Sequence, residues 1–426
     1  MVPSKNVRPS CWIWAAVLLG ACAVSLPGCK GDHGSHAGDR GPTWYRAVIR
    51  STDGVEVPFF LGVPAAGAPG EAIFKTGAHE VRSDATFDGT RLKVLLAVHQ
   101  TAVEATVGAD GNLTGTFSAS WRSWGAVSLP LTATKVPAPT PSALATVDAA
   151  GPPLDLREPR SVWRMDLGES GAGKLVVDQT HPGELGALLF FDTGHIIYLA
   201  GNGADDTAVL TGFDGTAGYR LELGFSKDHT SASGKFFGRH KLDWRETVTA
   251  TRGPDFTLAL KPRPTTPGAK IELPAIPELA ALEEGPLVIE IGGSWCSTCR
   301  LAAPLFDQLY SEYHPRGLHM LTLLYEFDDD RMVDLKQAEE YKKAYGARWP
   351  VVTVTGPIED FAEIMPKGLT DLSPTGFPFA LFLAADRSLV AFHAGFPARD
   401  AADEYKRTEA EFRANIEKLL ARPGGK

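Results

Sequence analysis

Between Trp44 and Phe256 the sequence repeats itself, and that duplication governs half of the chain. Trp44-Tyr45-Arg46-Ala47-Val48 is answered by Trp163-Arg164-Met165-Asp166-Leu167. Phe87-Asp88-Gly89-Thr90, followed by Leu92-Lys93-Val94-Leu95, is answered by Phe213-Asp214-Gly215-Thr216, followed by Tyr219-Arg220-Leu221-Glu222-Leu223. Leu113-Thr114-Gly115-Thr116-Phe117 matches Ala232-Ser233-Gly234-Lys235-Phe236, and Thr132-Ala133-Thr134-Lys135 matches Thr249-Ala250-Thr251-Arg252. Each copy consists of short alternating stretches broken by Asp-Gly, Asn-Gly and Gly-rich turns, which is the pattern of antiparallel β-structure. The copies span 44–136 and 161–260, and Pro-rich linkers follow them at 137–160 and 261–274. Two separate sandwiches and two halves of one barrel both satisfy this pattern. His79, His99, His181, His195 and His240 are scattered through the copies, so they read as surface or packing residues. With no nucleophile–base pair or metal constellation in view, the copies read as a scaffold or docking unit; a ligand site in a barrel mouth is the alternative.

From 275 to 426 the pattern changes to alternating strands and helices. Strand 287–291 leads into a predicted helix 297–313, then strand 318–325, helix 333–345, strand 350–354 and helix 358–364. Hairpin strands 379–384 and 389–394 follow, and a last helix from about 401 to 420 sets Phe412, Ile416, Leu419 and Leu420 on one face. Asp328-Asp329-Asp330 reads as the solvated start of the second helix, where carboxylates suit the dipole.

The chemistry concentrates at Ile291-Gly292-Gly293-Ser294-Trp295-Cys296-Ser297-Thr298-Cys299. An apolar strand runs into a small-residue turn, and Leu301, Leu305 and Leu309 continue at helical spacing, so Cys296 sits at or just before a helix start. Free N–H groups and the positive dipole end favour a thiolate there, and in such motifs the thiol pKa falls from about 8.5 to roughly 3.5–7.5. Cys296 is the expected nucleophile. Cys299, one turn on, is the resolving thiol that closes a short disulfide. Ser297 and Thr298 offer hydroxyls that tune it.

From about Ala275 onward the chain resembles the thioredoxin-fold domain of TlpA/ResA-type thiol-disulfide oxidoreductases, which are membrane-anchored. The likeness rests on Glu290 six residues before Cys296, Trp295 ahead of it, Pro304 five after Cys299, Gly376-Phe377-Pro378-Phe379 downstream, and Asp386, Leu389-Val390 and Gly395-Phe396 as a terminal hairpin. The resemblance implies that Glu290 is a buried acid accepting the proton of Cys299. It also implies that Pro304 kinks the active-site helix, that Pro378 follows a cis peptide bond, and that Trp295, Phe377 and Pro378 line the substrate groove. The chain departs from the family pattern at Ala302, at Ile291-Gly292-Gly293 and at Phe379. The family often carries an N-terminal β domain, in keeping with the duplicated copies.

Lys5 and Arg8 precede an uncharged run to Cys29 that ends Leu26-Pro27-Gly28-Cys29, the pattern of a lipoprotein signal with Cys29 as the acylated residue; an uncleaved anchor is the alternative. Residues 30–43, with His33 and His36, form a polar tether. Both readings place the bulk of the chain outside the cytoplasm, and the first lipid-anchors it to a bacterial membrane through Cys29. Cys11 and Cys22 leave with the signal and Cys29 carries lipid, so of five cysteines only Cys296 and Cys299 remain as thiols. A net charge of −9 argues against a nucleic-acid partner.

The expected molecule is therefore multidomain, with two antiparallel β units before an α/β thioredoxin-like domain. Its expected activity is thiol-disulfide exchange with protein thiols and disulfides, recharged by a membrane electron donor or oxidant. It needs no metal and no cofactor beyond the Cys296–Cys299 pair. Rival readings are a peroxiredoxin-like peroxidase, a binding lipoprotein whose β units do the work, and copper handling by the dithiol.

Overall fold

The computed structural model describes residues 41–422 except 68, 122–124, 145, 148–150, 282–283, 328–329 and 373–375. The signal ending at Cys29 and nearly all of the tether lie outside the described residues, as do Asp328 and Asp329. Each β copy is a complete closed barrel of eight strands, so neither sandwich nor half-barrel describes them. The first barrel runs β1 (Thr43–Arg50), β2 (Glu56–Val63), β3 (Pro69–Thr76), β4 (His79–Phe87), β5 (Arg91–Leu96), β6 (Thr101–Val107), β7 (Leu113–Trp121) and β8 (Gly125–Lys135). β1 pairs with both β2 and β8, and closure leaves no sheet edge exposed. The second runs β9 (Arg160–Asp166), β10 (Ala172–His181), β11 (Glu184–Phe191), β12 (Ile196–Ala204), β13 (Thr207–Phe213), β14 (Gly218–Phe225), β15 (Ser231–Gly238) and β16 (Trp244–Gly253), with β9 and β16 joined.

Alternation does the sorting. Along β8 every second residue from Val127 to Ala133 is buried, and eight strands enclose a space that side chains can fill. Gly115 and Gly234 hold the same place in the seventh strand of each barrel, where a Cβ would overlap the carbonyls of Glu104 and Glu222 on the sixth. The Asp-Gly motifs behave differently. Asp88-Gly89 turns between the fourth and fifth strands of its barrel, whereas Asp214-Gly215 turns between the fifth and sixth. The topological counterpart of the Asp214 turn is instead Ala97–His99.

The stretches read as linkers are packed. Within 137–160, a one-turn helix α1 (Pro141–Leu144) buries Leu144 against Phe60 and Ala200, while Leu154 and Leu156 join the second barrel's core. Within 261–274, β17 (Arg263–Pro264) pairs with β21 (Leu369–Thr370), and Ile271 is buried in the third domain. Phe213 leaves the second barrel to enter the core of the first, its ring 4.4 Å from that of Phe59, 5.4 Å from Phe74 and 5.2 Å from Phe117.

The third domain is a five-stranded sheet in the order β20 (Val351–Val354), β19 (His319–Tyr325), β18 (Leu287–Gly292), β22 (Phe379–Leu383), β23 (Leu389–Ala394). The first three are parallel, and β22 runs antiparallel to β18. Helices α2 (Ala303–Tyr313) and α5 (Ala402–Leu420) cover the face that presents Val288, Met320 and Phe382. On α5, Phe412, Ile416 and Leu419 are buried and Leu420 is half-buried. The other face, with Ile289, Leu321 and Leu381, packs against Ile271, Ile276 and Phe361.

Element ends moved where local chemistry required. The helix expected from Ser297 begins only at Ala303, after a tighter turn at Cys299–Leu301. Pro304 sits in the first turn of α2, where its missing N–H costs nothing, so it opens the helix rather than kinking it. Helix α3 (Arg331–Tyr345) starts before Val333 because the Asp330 side chain accepts from the N–H groups of Met332 and Val333. The helix expected at 358–364 is a tight turn at Ile358–Asp360 followed by one turn, α4 (Phe361–Ile364).

Candidate active site

β18 delivers the chain to the centre of the sheet and ends in the Gly292-Gly293 turn. Beyond it Cys296 and Cys299 are joined in a disulfide. Cys299 is fully buried and Cys296 is 6 % exposed. The Cys299 N–H points at Cys296 Sγ, 3.2 Å away, and Thr298 Oγ1 lies 3.5 Å from the same sulfur. With the regular helix beginning four residues later, it is this tight turn that aims the Cys299 N–H at the sulfur.

Glu290 stands under the pair with no exposed surface. Thr322 Oγ1 donates to its Oε2 at 2.8 Å, and Trp349 Nε1 donates to Thr322 Oγ1 in turn. Oε1 has no hydrogen-bond partner among the described residues. Burial pushes the carboxyl up to about 8, and the Thr322 bond opposes that only in part. Gly292 keeps acid and sulfur in communication: a Cβ there would lie 3.2 Å from Cys299 Sγ and 3.9 Å from Glu290 Oε1. Gly293 serves Trp295. A Cβ at 293 would overlap the indole, whose Nε1 donates to the Tyr325 carbonyl at 2.7 Å. Of the two glycines that depart from the expected pattern, Gly293 is thus required by what surrounds it, while a Cβ at Gly292 would press on Cys299 Sγ.

Trp295, Phe377 and Pro378 come together beside Cys296. The Phe377 ring meets the Trp295 ring edge-on at 5.4 Å, and the Phe377–Pro378 peptide bond is cis. Ser297 and Thr298 are nearly buried, but they do not do the same thing. Thr298 faces the sulfur, whereas Ser297 turns away and donates to Asp214 Oδ2 at 2.6 Å.

Both barrels reach this site through their fifth-to-sixth-strand turns, which nothing in the sequence signalled. Asp214 Oδ1 accepts from the N–H groups of Thr216 and Ala217, fixing its own turn, and Oδ2 takes Ser297. Burial works against its charge, but the Arg300 cation and the hydroxyls of Ser297 and Thr216 hold the carboxyl below its usual range. From the first barrel, His99 lies against the carbonyl of Ser294, with Nδ1 2.6 Å from the oxygen. A carbonyl only accepts, so Nδ1 carries the proton and Nε2 accepts from Tyr345 Oη at 3.2 Å. Burial lowers the His99 pKa to about 3, so the ring is neutral. Glu326 completes the frame, taking the N–H and hydroxyl of Ser294 at 2.9 and 2.6 Å. The two turns also touch, Thr101 Oγ1 donating to the Gly215 carbonyl at 2.7 Å. His99 had read as a surface or packing residue; its position 195 residues from Ser294 carried no local signal.

The arrangement leaves one cysteine slightly exposed and hides the other beside a neutral acid whose Oε1 has no partner among the described residues. Such a pair can pass through a mixed disulfide. No family model matches the chain, and no curated protein matches it either. Among solved structures it is similar to a thioredoxin family thiol:disulfide interchange protein from Chlorobium tepidum (18 % identity, 37 % of this chain and 98 % of that one, TM-score 0.24). It is also similar to a secreted Mycobacterium tuberculosis disulfide oxidoreductase (14 %, 33 % and 86 %, 0.23) and to the thioredoxin domain of a Bacteroides vulgatus thiol-disulfide oxidoreductase (15 %, 34 % and 97 %, 0.25). Each likeness extends over about a third of this chain.

Proposed function

We propose that the chain is a thiol-disulfide oxidoreductase of the TlpA/ResA kind, acting on disulfides outside the cytoplasm. The observation that carries this is the asymmetry of the pair: Cys296 keeps 6 % exposure, while Cys299 is fully closed in beside a buried acid whose Oε1 has no hydrogen-bond partner among the described residues. In the reductive direction the Cys296 thiolate attacks one sulfur of a substrate disulfide. A Cys296–substrate bond forms, the substrate S–S bond breaks, and its second sulfur leaves as a thiolate that takes a proton from solvent. Cys299 then gives its proton to the ionised fraction of Glu290 and attacks Cys296 Sγ. The substrate leaves as a second thiolate, two electrons have passed to it, and the Cys296–Cys299 disulfide remains. Running the steps backward oxidises a substrate dithiol. A dithiol donor or a disulfide oxidant in the membrane recharges the site. Trp295, Phe377 and Pro378 position the substrate, and no metal or cofactor takes part.

The basic start and the apolar run ending at Cys29 support export and lipid anchoring, which the mass of the mature N-terminus tests. The exchange itself is tested by Cys299→Ala. This variant is expected to accumulate a mixed disulfide on Cys296 when offered oxidised glutathione, stable for hours by intact mass. Cys296→Ala is expected to accumulate none. Equal labelling of the two variants would remove Cys296 as the nucleophile.

A further inference from the structure

The open end of the second barrel faces the reactive sulfur. Between them lies a cavity of about 850 Å³, within the range of built ligand pockets of roughly 300–1,000 Å³. Its barrel side is an aromatic layer of Phe191, Tyr219 and Trp244; Phe191 and Trp244 rings lie 5.5 Å apart. Its other side is Trp295, Cys296 and Phe377. Cys296, the residue of the pair that keeps some exposure, is the pair's contribution to the lining. Direct contacts hold the placement. Gly194, in the turn after β11, lies so close to Ala394 and Gly395 that a Cβ would overlap them, and Ser297 is bonded to the Asp214 turn.

We infer that the second barrel makes this cavity a substrate chamber, admitting disulfides borne on short flexible peptide chain and excluding those set in a folded surface. The inference rests on the thiol-exchange reading above. Attack on a disulfide needs the three sulfurs nearly in line, so the substrate sulfur must descend to Cys296 between the barrel mouth and Phe377. A narrow chain can do that while its backbone lies along the Phe377–Pro378 edge. A disulfide fixed on a folded domain meets the barrel first. Aromatic rings on both sides favour a substrate with an apolar or aromatic residue next to its cysteine. The rim carries Arg239 and Lys241 as well as Asp243 and Glu246, so net charge does not select. A free oligopeptide and an unstructured protein segment present the same chemistry.

Three probes with one leaving group test this: a glutathione mixed disulfide on a linear 12-residue peptide, on the disordered tail of a small carrier domain, and on a rigid helix of that carrier. Each is mixed with the reduced full-length protein, and Cys296 oxidation is followed by thiol-trapping mass shift. The peptide is expected to react at least a hundredfold faster than the helix-borne disulfide. A tail reacting like the peptide assigns the chamber to unstructured protein segments; a tail reacting like the helix assigns it to free oligopeptides. Thr193→Trp on the half-exposed wall and, independently, Lys241→Trp on the exposed rim are expected to slow the peptide tenfold while leaving the reaction with dithiothreitol unchanged. Equal rates for helix and peptide, or a peptide rate untouched by both variants, would overturn the chamber while leaving the redox pair standing. Oxidised protein that dithiothreitol cannot reduce would overturn both.

Discussion

Glu290→Gln is expected to slow the resolving step at least tenfold at neutral pH while leaving the first attack by Cys296 near its native rate. The amide is nearly the same size and can still accept from Thr322, but it cannot take the proton that Cys299 must lose. General-base help is typically worth about 10²–10⁴-fold, so a tenfold loss is the lower end. The pH profile separates this role from a structural one. With a folded pKa of about 8, the native carboxyl is mostly neutral at pH 7, and resolution accelerates as pH rises through 8. The glutamine variant lacks that step. Stability moves the other way. Because burial raises the pKa from 4.5 to about 8, the neutral carboxyl is the form the fold favours. Its contribution is complete below about 4.5 and is lost as pH climbs to about 8. One pKa unit is worth about 1.4 kcal/mol, so the native protein loses several kcal/mol over that window and the variant does not. Glu290→Gln should therefore be the more resistant to urea at pH 9. Resolution rates by quenched-flow mass analysis and urea midpoints at pH 5 and 9 check both halves.

Phe213→Ala is expected to destabilise the protein by about 3–5 kcal/mol, the usual cost of removing a phenyl group from a packed core. The ring is 2 % exposed among Phe59, Phe74 and Phe117, so its loss opens a cavity in the first barrel although the residue belongs to the second. The consequence reaches the dithiol. Phe213 seats the Asp214 turn, and Asp214 holds Ser297 beside Cys296. Its negative charge there opposes the thiolate, so freeing that turn should let Cys296 ionise at lower pH. Asp214→Asn isolates the charge, because Asn can keep the turn by accepting from Thr216 and Ala217. It is expected to lower the pH midpoint of Cys296 alkylation without the loss of stability. An alkylation profile unchanged in Asp214→Asn would reduce the barrel contact to mechanical support.

What could be read from the sequence was local. A strand, a small-residue turn and two cysteines three apart fix a dithiol at a sheet's end, and Glu290 shares the strand that carries them. Alternation of apolar and polar residues gave strands, but closure depends on partners such as Tyr45 and Lys135, ninety residues apart, and no pattern records that. The Asp-Gly turns misled for a related reason. Asp88 and Asp214 accept from the N–H groups two and three residues on in the same way, so the motif reports a turn and not which strands it joins. Asp214 is half-buried where Asp88 is exposed, because only its turn follows Phe213 into the interface. His99 and Glu326 were illegible because their roles rest on meeting Ser294 across the fold. The late start of α2 follows from Pro304, whose preferred place in a first turn outweighed the helical spacing of the leucines.

The most direct test of the central claim is a redox titration of the full-length protein in glutathione buffers, read as the fraction of Cys296 and Cys299 blocked by a mass-tagged alkylator. The account predicts one reversible two-electron transition shared by both cysteines, the same from the oxidised and reduced sides. Its midpoint assigns direction, a reductant near about −270 mV and an oxidant near about −120 mV. Cysteines that never form a reversible disulfide, or that titrate independently, would contradict it.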